Sequence, residues 1–111
     1  MKLAEIVDKL NLKVFSGKEG LNNEVTNGYI SDLLSDVMGH AEAGNAWITL
    51  QTHKNVMAIA SLKDLSAVIL VKGLLPEEDM AAQSNEEGIP VLGTGEEAFT
   101  ISGKLYSMLQ Q

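Results

Sequence analysis

The spacing of apolar residues along this chain predicts alternating helices and strands. Apolar residues three and four positions apart predict amphipathic helices, and these lie at residues 2–10, 33–43 and 97–110. Short runs of β-branched and aliphatic residues bounded by turn residues predict strands, and these lie at 12–17, 25–30, 46–50, 67–71 and 89–93. Two more helices are expected between the later strands, at 53–63 and from Pro76 to Glu87.

This order of elements predicts an α/β fold. Strands alternate with helices through the second half of the chain, which favours crossover connections and a mostly parallel sheet of four or five strands. Helices on both faces of that sheet give three layers, α/β/α. Ligands of such sheets bind beyond the carboxyl ends of the strands, which are expected at Thr49 to His53, Val71 to Leu74 and Gly93 to Gly95.

Three local signals concern the ends of these elements. Asn27 and Gly28 tolerate positive φ, so the pair is compatible with a tight hairpin turn. Ser31 or Asp32 is expected to cap the helix that follows. Thr94, with a glutamate three residues later, has the spacing of a capping box, which predicts that Thr94 caps the last helix.

The length and composition fit one globular domain that spans residues 1–111. No apolar run approaches the ~20 residues of a membrane-spanning helix. The first residues interleave charged and apolar side chains, unlike a signal peptide. We therefore expect a cytoplasmic protein that does not bind a membrane.

Charge and cysteine content exclude several classes of function. The chain has no cysteine, which removes disulfides, thiolate catalysis and thiolate metal sites. Its formal net charge is −7, and all eight basic residues are lysines, so no arginine can form a bidentate clamp on phosphate or carboxylate. Binding of DNA or RNA depends on clustered cations, so no nucleic-acid partner is expected.

Polar side chains cluster in the sequence where the predicted strands end. Five of them form the candidate ligand-binding or interface site: Asp32, Thr49, Gln51, His53 and Asn55. Asp32 is either a helix cap or a carboxylate that binds a ligand or partner. His53 either caps the next helix or binds an anion, acts as a base or ligates a metal. A metal site is not expected, because no second ligand lies three or four residues after His53.

The sequence holds no motif of a known catalytic site. It lacks a Walker lysine loop, a dinucleotide-binding glycine pattern, an HExxH pair and a serine-nucleophile motif. The glycines around Thr94 resemble a phosphate-binding turn only superficially, because two glutamates follow them and repel an anion. We therefore expect a protein that is not an enzyme and that needs no metal or other cofactor.

Four separated blocks of the chain form a recognisable pattern: VTNGYISDLLSDVM, WITLQTHKNVMAIASL, EEGIPVL and FTISGKLYSML. In content and order these blocks resemble the DRTGG domain family, and the resemblance extends from about Leu12 to Leu109. The positions that match the family's signature motif are occupied by Asn22, Asn23, Thr26, Asn27 and Gly28. For Asn27 and Gly28 the resemblance implies a bend within an extended segment instead of a hairpin turn. Asn22 and Asn23 replace the Asp-Arg pair, so this chain lacks any ligand role that the arginine has in relatives.

The resemblance also implies a type of function. Members of the family are modules of phosphotransacetylases, of pyrophosphatases with CBS domains and, more distantly, of HPr kinase as its N-terminal domain. Others are free-standing small proteins of anaerobic bacteria and archaea, often encoded near hydrogenase or electron-transfer genes. The resemblance therefore implies an α/β/α domain that forms a homodimer or joins a catalytic partner in a regulatory role.

Two functions are expected from these observations. The first is a non-catalytic, dimeric regulatory module that binds a small ligand, such as a nucleotide, at the site around Asp32 and residues 49–55. The alternative is a scaffold or accessory protein whose acidic surface docks an anaerobic redox enzyme of the hydrogenase type or a kinase. An enzyme that uses His53 as its general base, together with Asp32 or Thr49, is a third interpretation.

Overall fold

The computed structural model describes residues 1–111 and contains one five-stranded sheet with helices on both faces. The helices are α1 (Leu3–Leu10), α2 (Leu34–His40), α3 (Asn55–Leu62), α4 (Glu78–Glu87) and α5 (Ala98–Leu109). The strands are β1 (Lys13–Ser16), β2 (Asn27–Ile30), β3 (Asn45–Thr49), β4 (Ala67–Leu70) and β5 (Val91–Gly93). One 3₁₀ turn, Lys18–Gly20, lies between β1 and β2.

The sheet is mostly parallel, as the alternation of strands and helices predicts. Its strand order is β1-β5-β4-β3-β2. Strands β2 to β5 are parallel and move one place across the sheet with each crossover, whereas β1 is antiparallel to β5. The predicted α/β/α fold with a mostly parallel sheet of four or five strands is confirmed.

The apolar side chains of the sheet form a separate buried cluster on each face. On one face Trp47 of β3 packs in a cluster with residues of α2, α3 and α4. On the other face Ile69 of β4 packs in a cluster with residues of α1 and α5. The central strands are buried on both faces, which is why β4 is an unbroken apolar run.

The connections after β4 and β5 leave the sheet towards opposite faces. The crossovers between β2 and β5 run through α2, α3 and α4, whose buried apolar residues all belong to the cluster around Trp47. After β5 the chain enters α5, whose Ile101 and Leu105 pack on the other face. Because the two connections diverge, a crevice opens between the carboxyl ends of β4 and β5.

The start of α2 differs from the prediction. The helix begins at Leu34, and Leu33 in the cap position makes no side-chain cap. Ser31 and Asp32 lie too early in the chain to cap this helix. The Ser31 hydroxyl instead accepts a hydrogen bond from the amide of Leu33, at 3.2 Å.

Thr94 does not cap α5, so the predicted capping box is wrong. The helix begins at Ala98, after Glu97 in the cap position. The Thr94 hydroxyl accepts a hydrogen bond from the amide of Glu96 at 3.1 Å, within the loop that precedes the helix. Thr94 therefore fixes the shape of the loop after β5 rather than the first turn of α5.

Candidate functional site

Asp32 joins the end of β2 to the turn after β3. Its Oδ1 accepts hydrogen bonds from the Thr49 hydroxyl at 2.9 Å and from the Leu50 amide at 2.7 Å. The Gln51 side chain donates to the Asp32 carbonyl oxygen at 2.8 Å. The structure thus brings together three of the five residues in the predicted site. Their polar atoms bond with one another, which stabilises this turn.

His53 and Asn55 lie outside that network. Neither side chain makes a hydrogen bond to Asp32 or Thr49. His53 lies in the loop before α3, where its Nδ1 is buried and has no hydrogen-bond partner. Asn55 is the first residue of α3 and is exposed. Binding of a ligand or partner by the predicted five residues stays a prediction.

The positions of the family's signature motif lie at the amino-terminal edge of the parallel strands, opposite to Asp32. Asn23 donates through Nδ2 to the carbonyl oxygens of Ser66 at 3.2 Å and Gly88 at 3.4 Å. The Thr26 hydroxyl donates to the carbonyl oxygen of Ala43 at 3.3 Å. These bonds connect the loops that precede neighbouring strands.

The last two motif positions, Asn27 and Gly28, lie inside β2, whereas Asn22 is exposed. The extended alternative is therefore confirmed, and the hairpin turn is wrong. The Gly28 amide donates to Asn27 Oδ1 at 2.9 Å. A Cβ at Gly28 would lie 3.2 Å from Cδ2 of Leu105, so glycine lets α5 pack closely on β2.

A cleft of about 450 Å³ lies at the carboxyl ends of β4 and β5, where the two connections diverge. We call it the crossing cleft, and it is lined by the start of β1, by residues 73–75 and 93–96, and by Lys104 of α5. Because β1 is antiparallel to β5, its first residue Lys13 lies beside Gly93 at this edge. Open α/β sheets bind ligands at this position.

Hydrogen bonds hold together the two loops that line the crossing cleft. The Lys72 amide donates to the carbonyl oxygen of Glu96, and the Gly73 amide donates to that of Thr94, both at 2.9 Å. Lys72 and Gly73 have φ values of 59° and 73°. The left-handed conformation costs a non-glycine residue roughly 1–2 kcal/mol, which these bonds offset. The crossing cleft is therefore preformed.

The aromatic wall of the crossing cleft depends on a glycine. Phe15 of β1 lies against Gly93 of β5, and a Cβ at Gly93 would come within 2.3 Å of Cε2 of the ring. One part of Phe15 packs against the cluster around Trp47, and another part lines the cleft. Gly93 thus leaves the room that the ring needs.

The crossing cleft carries positive charge in an acidic protein. Lys13 and Lys104 line it, together with one carboxylate, that of Glu96. Lys104 Nζ lies 2.6 Å from Glu96 Oε1, whereas Lys13 makes no ion pair. The lining therefore has one net positive charge, although the whole chain has a charge of −7. The polar cleft at the opposite edge of the sheet is lined by three carboxylates, those of Glu24, Asp64 and Glu87.

A second depression, of about 370 Å³, lies between the edge strand β2 and helix α5. We call it the β2–α5 groove, and none of its lining residues is charged. Phe99, Tyr106 and Ile30 contribute exposed apolar surface, with 90%, 64% and 52% of their surface accessible. An exposed apolar surface next to a free sheet edge is typical of a docking surface.

A hydrogen bond between Tyr29 and Asp36 joins β2 to α2. The Tyr29 hydroxyl donates to Asp36 Oδ2 at 2.9 Å. This bond is the main cause that lowers the pKa of Asp36, and it raises the pKa of Tyr29. His40 also lowers the pKa of Asp36, since its Nδ1 lies 3.2 Å from Asp36 Oδ1.

The sequence identifies only part of the crossing cleft. Gly73 and Gly93 to Gly95 fall within the predicted carboxyl ends of strands, which is the signal for a ligand-binding edge. Lys13, Phe15 and Lys104 belong to segments that carry no ligand-binding motif. The antiparallel placement of β1 and the packing of α5 bring these three residues to the same edge.

These features define a class of protein, an α/β/α domain with an open cleft beyond the carboxyl ends of its parallel strands. The sequence model of the DRTGG domain matches residues 5–108. The chain therefore belongs to the DRTGG domain family, as the resemblance of its separated blocks predicts. No curated protein sequence matches the chain.

The fold is similar to that of a solved structure from Clostridium perfringens. That structure contains the CBS and DRTGG domains of the regulatory region of a pyrophosphatase, complexed with its activator diadenosine tetraphosphate. The TM-score is 0.71, and 16% of the residues are identical. The match covers 95% of this chain and 45% of that chain, so this chain spans less than half of its neighbour.

None of the helices is long and apolar enough to cross a membrane.

Proposed function

We propose that residues 1–111 form a single DRTGG-like domain that acts as a non-catalytic regulatory module and senses a small ligand, with nucleotides as the ligand class. The crossing cleft carries this proposal, because it is a preformed cavity at the edge where α/β sheets bind ligands. Two comparisons support the proposal. The chain belongs to the DRTGG family, and a protein with a similar fold has this domain in a region named regulatory.

Thermal unfolding of the full chain in the presence of adenine and guanine nucleotides tests this function. A ligand that binds only the folded state stabilises it by about 2.7 kcal/mol at a concentration 100 times its Kd, which raises the midpoint by several degrees. The fluorescence of Trp47, which is fully buried, reports the transition. No shift with any nucleotide at millimolar concentration contradicts nucleotide sensing.

The module acts as a homodimer that associates through the β2–α5 groove. Two copies with a net charge of −7 repel each other, so they associate best through a surface without charge. The β2–α5 groove is such a surface, and its exposed Phe99 and Tyr106 provide apolar area to bury. Sedimentation velocity of the chain at several concentrations measures this association.

The second candidate function is that of an accessory protein that docks a redox enzyme of the hydrogenase type or a kinase. The acidic surface favours it, because the charge steers a basic partner towards the chain. Affinity capture from the native host at low and at high salt tests it. A partner that is recovered at low salt and released at high salt supports this function, and recovery of no partner at low salt contradicts it.

A further inference from the structure

The crossing cleft concentrates cations in a protein that has few of them. Lys13 and Lys104 line the cleft, and Lys9 lies with Lys104 along a shallower depression that adjoins it. Three of the eight lysines of the chain thus lie in this cleft or in the depression beside it. They come from α1, β1 and α5, so folding alone brings them together.

One lysine of the cleft is free and the other is weakly held. Lys13 has no ion-pair partner, and its exposed side chain lies next to Gly93 at the cleft. Lys104 pairs with Glu96, but both side chains are partly exposed, at 51% and 34%. Exposed ion pairs contribute little to stability. A phosphate with two negative charges can therefore compete with Glu96 for Lys104, although the Glu96 carboxylate still repels an anion at this loop.

The remaining walls of the crossing cleft suit an apolar, flat group. Phe15 lies on one side, and Leu74 and Leu75 belong to the loop on the other side. The hydrogen bonds of Lys72 and Gly73 fix that loop, so the walls need not be ordered by the ligand. The volume of about 450 Å³ is within the usual range for small-molecule sites.

We infer that the crossing cleft binds a nucleoside phosphate, with its phosphate on Lys13 and Lys104 and its base against Phe15. This inference rests on the proposed ligand-sensing function and gives it a site and a ligand chemistry. A phosphate monoester carries a charge of about −1.5 to −2 at neutral pH, which matches two ammonium groups better than a single carboxylate does. Aromatic rings such as that of Phe15 stack on any base.

Calorimetric titration of the full chain with ADP, adenosine and inorganic phosphate tests the ligand chemistry. ADP is expected to bind at least about tenfold more tightly than adenosine or phosphate alone, because only ADP engages both the lysines and the ring. Equal binding of adenosine and ADP overturns the role of the phosphate. Equal binding of phosphate and ADP overturns the role of the ring.

Substitutions in the chain test the position of the site. Lys13→Gln and Lys104→Gln are each expected to weaken ADP about tenfold, since each removes a hydrogen bond between charged groups. Lys18→Gln is the control, because Lys18 is an exposed lysine outside the cleft, and it should leave ADP binding unchanged. Glu96→Gln is expected to tighten ADP binding severalfold, because it frees Lys104.

The outcomes separate this inference from the proposed function. ADP binding that is equal in the wild type and in both lysine variants overturns the crossing cleft as the site, while nucleotide sensing stands. A second outcome is that the chain binds a ligand without a phosphate, and that Lys13→Gln and Lys104→Gln do not change its affinity. This outcome also overturns the inference, but it is compatible with ligand sensing. Absence of binding by any nucleotide overturns both the inference and the nucleotide version of the function.

Discussion

The hydroxyl of Thr49 lies 2.9 Å from the carboxylate of Asp32 and joins the turn after β3 to the end of β2. The same carboxylate oxygen also accepts a hydrogen bond from the amide of Leu50. Asp32 and Thr49 belong to the binding site predicted from the sequence. In the structure their polar side chains bond with each other and stabilise the turn after β3. This role leads to a first prediction about stability.

Asp32→Ala should destabilise the fold by about 1–3 kcal/mol, because it leaves the Thr49 hydroxyl and the Leu50 amide without their acceptor. Urea unfolding at neutral pH measures this loss as a lower midpoint. Asp8→Asn is the control, since Asp8 is exposed and makes no hydrogen bond through its side chain, and it should change stability by less than about 0.5 kcal/mol. If the urea midpoint of Asp32→Ala equals that of the wild type, the stability of the turn does not depend on this carboxylate.

Gly93→Ala should distort the crossing cleft, because the new Cβ would come within 2.3 Å of Cε2 of Phe15. Displacing a packed ring costs about 1–3 kcal/mol, and it should also weaken ligand binding in the cleft. Gly39→Ala on α2 is the control, because no atom lies within 4 Å of its Cβ position and it lies outside the crossing cleft. Thermal unfolding and ADP titration compare the two variants, and equal behaviour argues against the packing of Phe15 on Gly93.

Tyr29→Phe should change how stability depends on pH. The hydrogen bond from Tyr29 lowers the pKa of Asp36 below its ordinary value of 3.8, so it stabilises the fold above that pH. The stabilisation is lost as pH falls through the lowered pKa of the folded state. The stability difference between the wild type and Tyr29→Phe should therefore be constant near neutral pH and shrink below about pH 4.

Urea unfolding between pH 2 and pH 7 gives this profile, with Tyr106→Phe as the control. The Tyr106 side chain is exposed, and its hydroxyl makes no hydrogen bond within the chain, so its removal should leave the pH profile of the wild type unchanged. The pKa of Tyr29 is raised by the same bond, so the difference should also shrink as pH rises above the ordinary value of 10.0. A difference that stays constant from pH 7 to pH 2 contradicts the role of Asp36.

Phe99→Lys should abolish the proposed homodimer without unfolding the chain. Phe99 is 90% exposed, so its replacement removes no buried contact of the monomer, and it places an ammonium group in a groove that has no charged residue to pair with it. Leu62→Lys on α3 is the matched control, since Leu62 is 69% exposed and lies outside the β2–α5 groove. Sedimentation velocity should show a monomer for Phe99→Lys and a dimer for the wild type and Leu62→Lys. A monomeric wild type contradicts the proposed dimer.

Much of the fold can be predicted from the sequence, because its elements have strong local signals. The apolar run at β4 indicates a buried strand, and Gly88 indicates the end of α4, where it adopts the left-handed conformation. The caps of α2 and α5 are predicted wrongly because Asp32 and Thr94 bond to other partners. Hydrogen-bonding side chains compete for several nearby amides, and only the tertiary structure decides which one they bind.

The ligand-binding edge can be predicted from the sequence less completely than the fold. The strand ends at Gly73 and Gly93 follow from the predicted parallel sheet, but β1 has no signal that fixes its direction or its place beside β5. Lys13 and Phe15 therefore cannot be assigned to that edge without the structure. Lys104 is one exposed residue among several on α5, and its position over the cleft depends on how the helix packs.

Amide chemical shifts measured during a titration with ADP test the central claim most directly. In a ¹⁵N-labelled sample the amides of Gly73, Gly93 and Gly95 should shift progressively and saturate with one ligand per chain, because they line the crossing cleft. Shifts confined to residues 49–55 would place the ligand at the cluster around Asp32 and contradict the account. An unchanged spectrum at millimolar ADP would contradict nucleotide sensing itself.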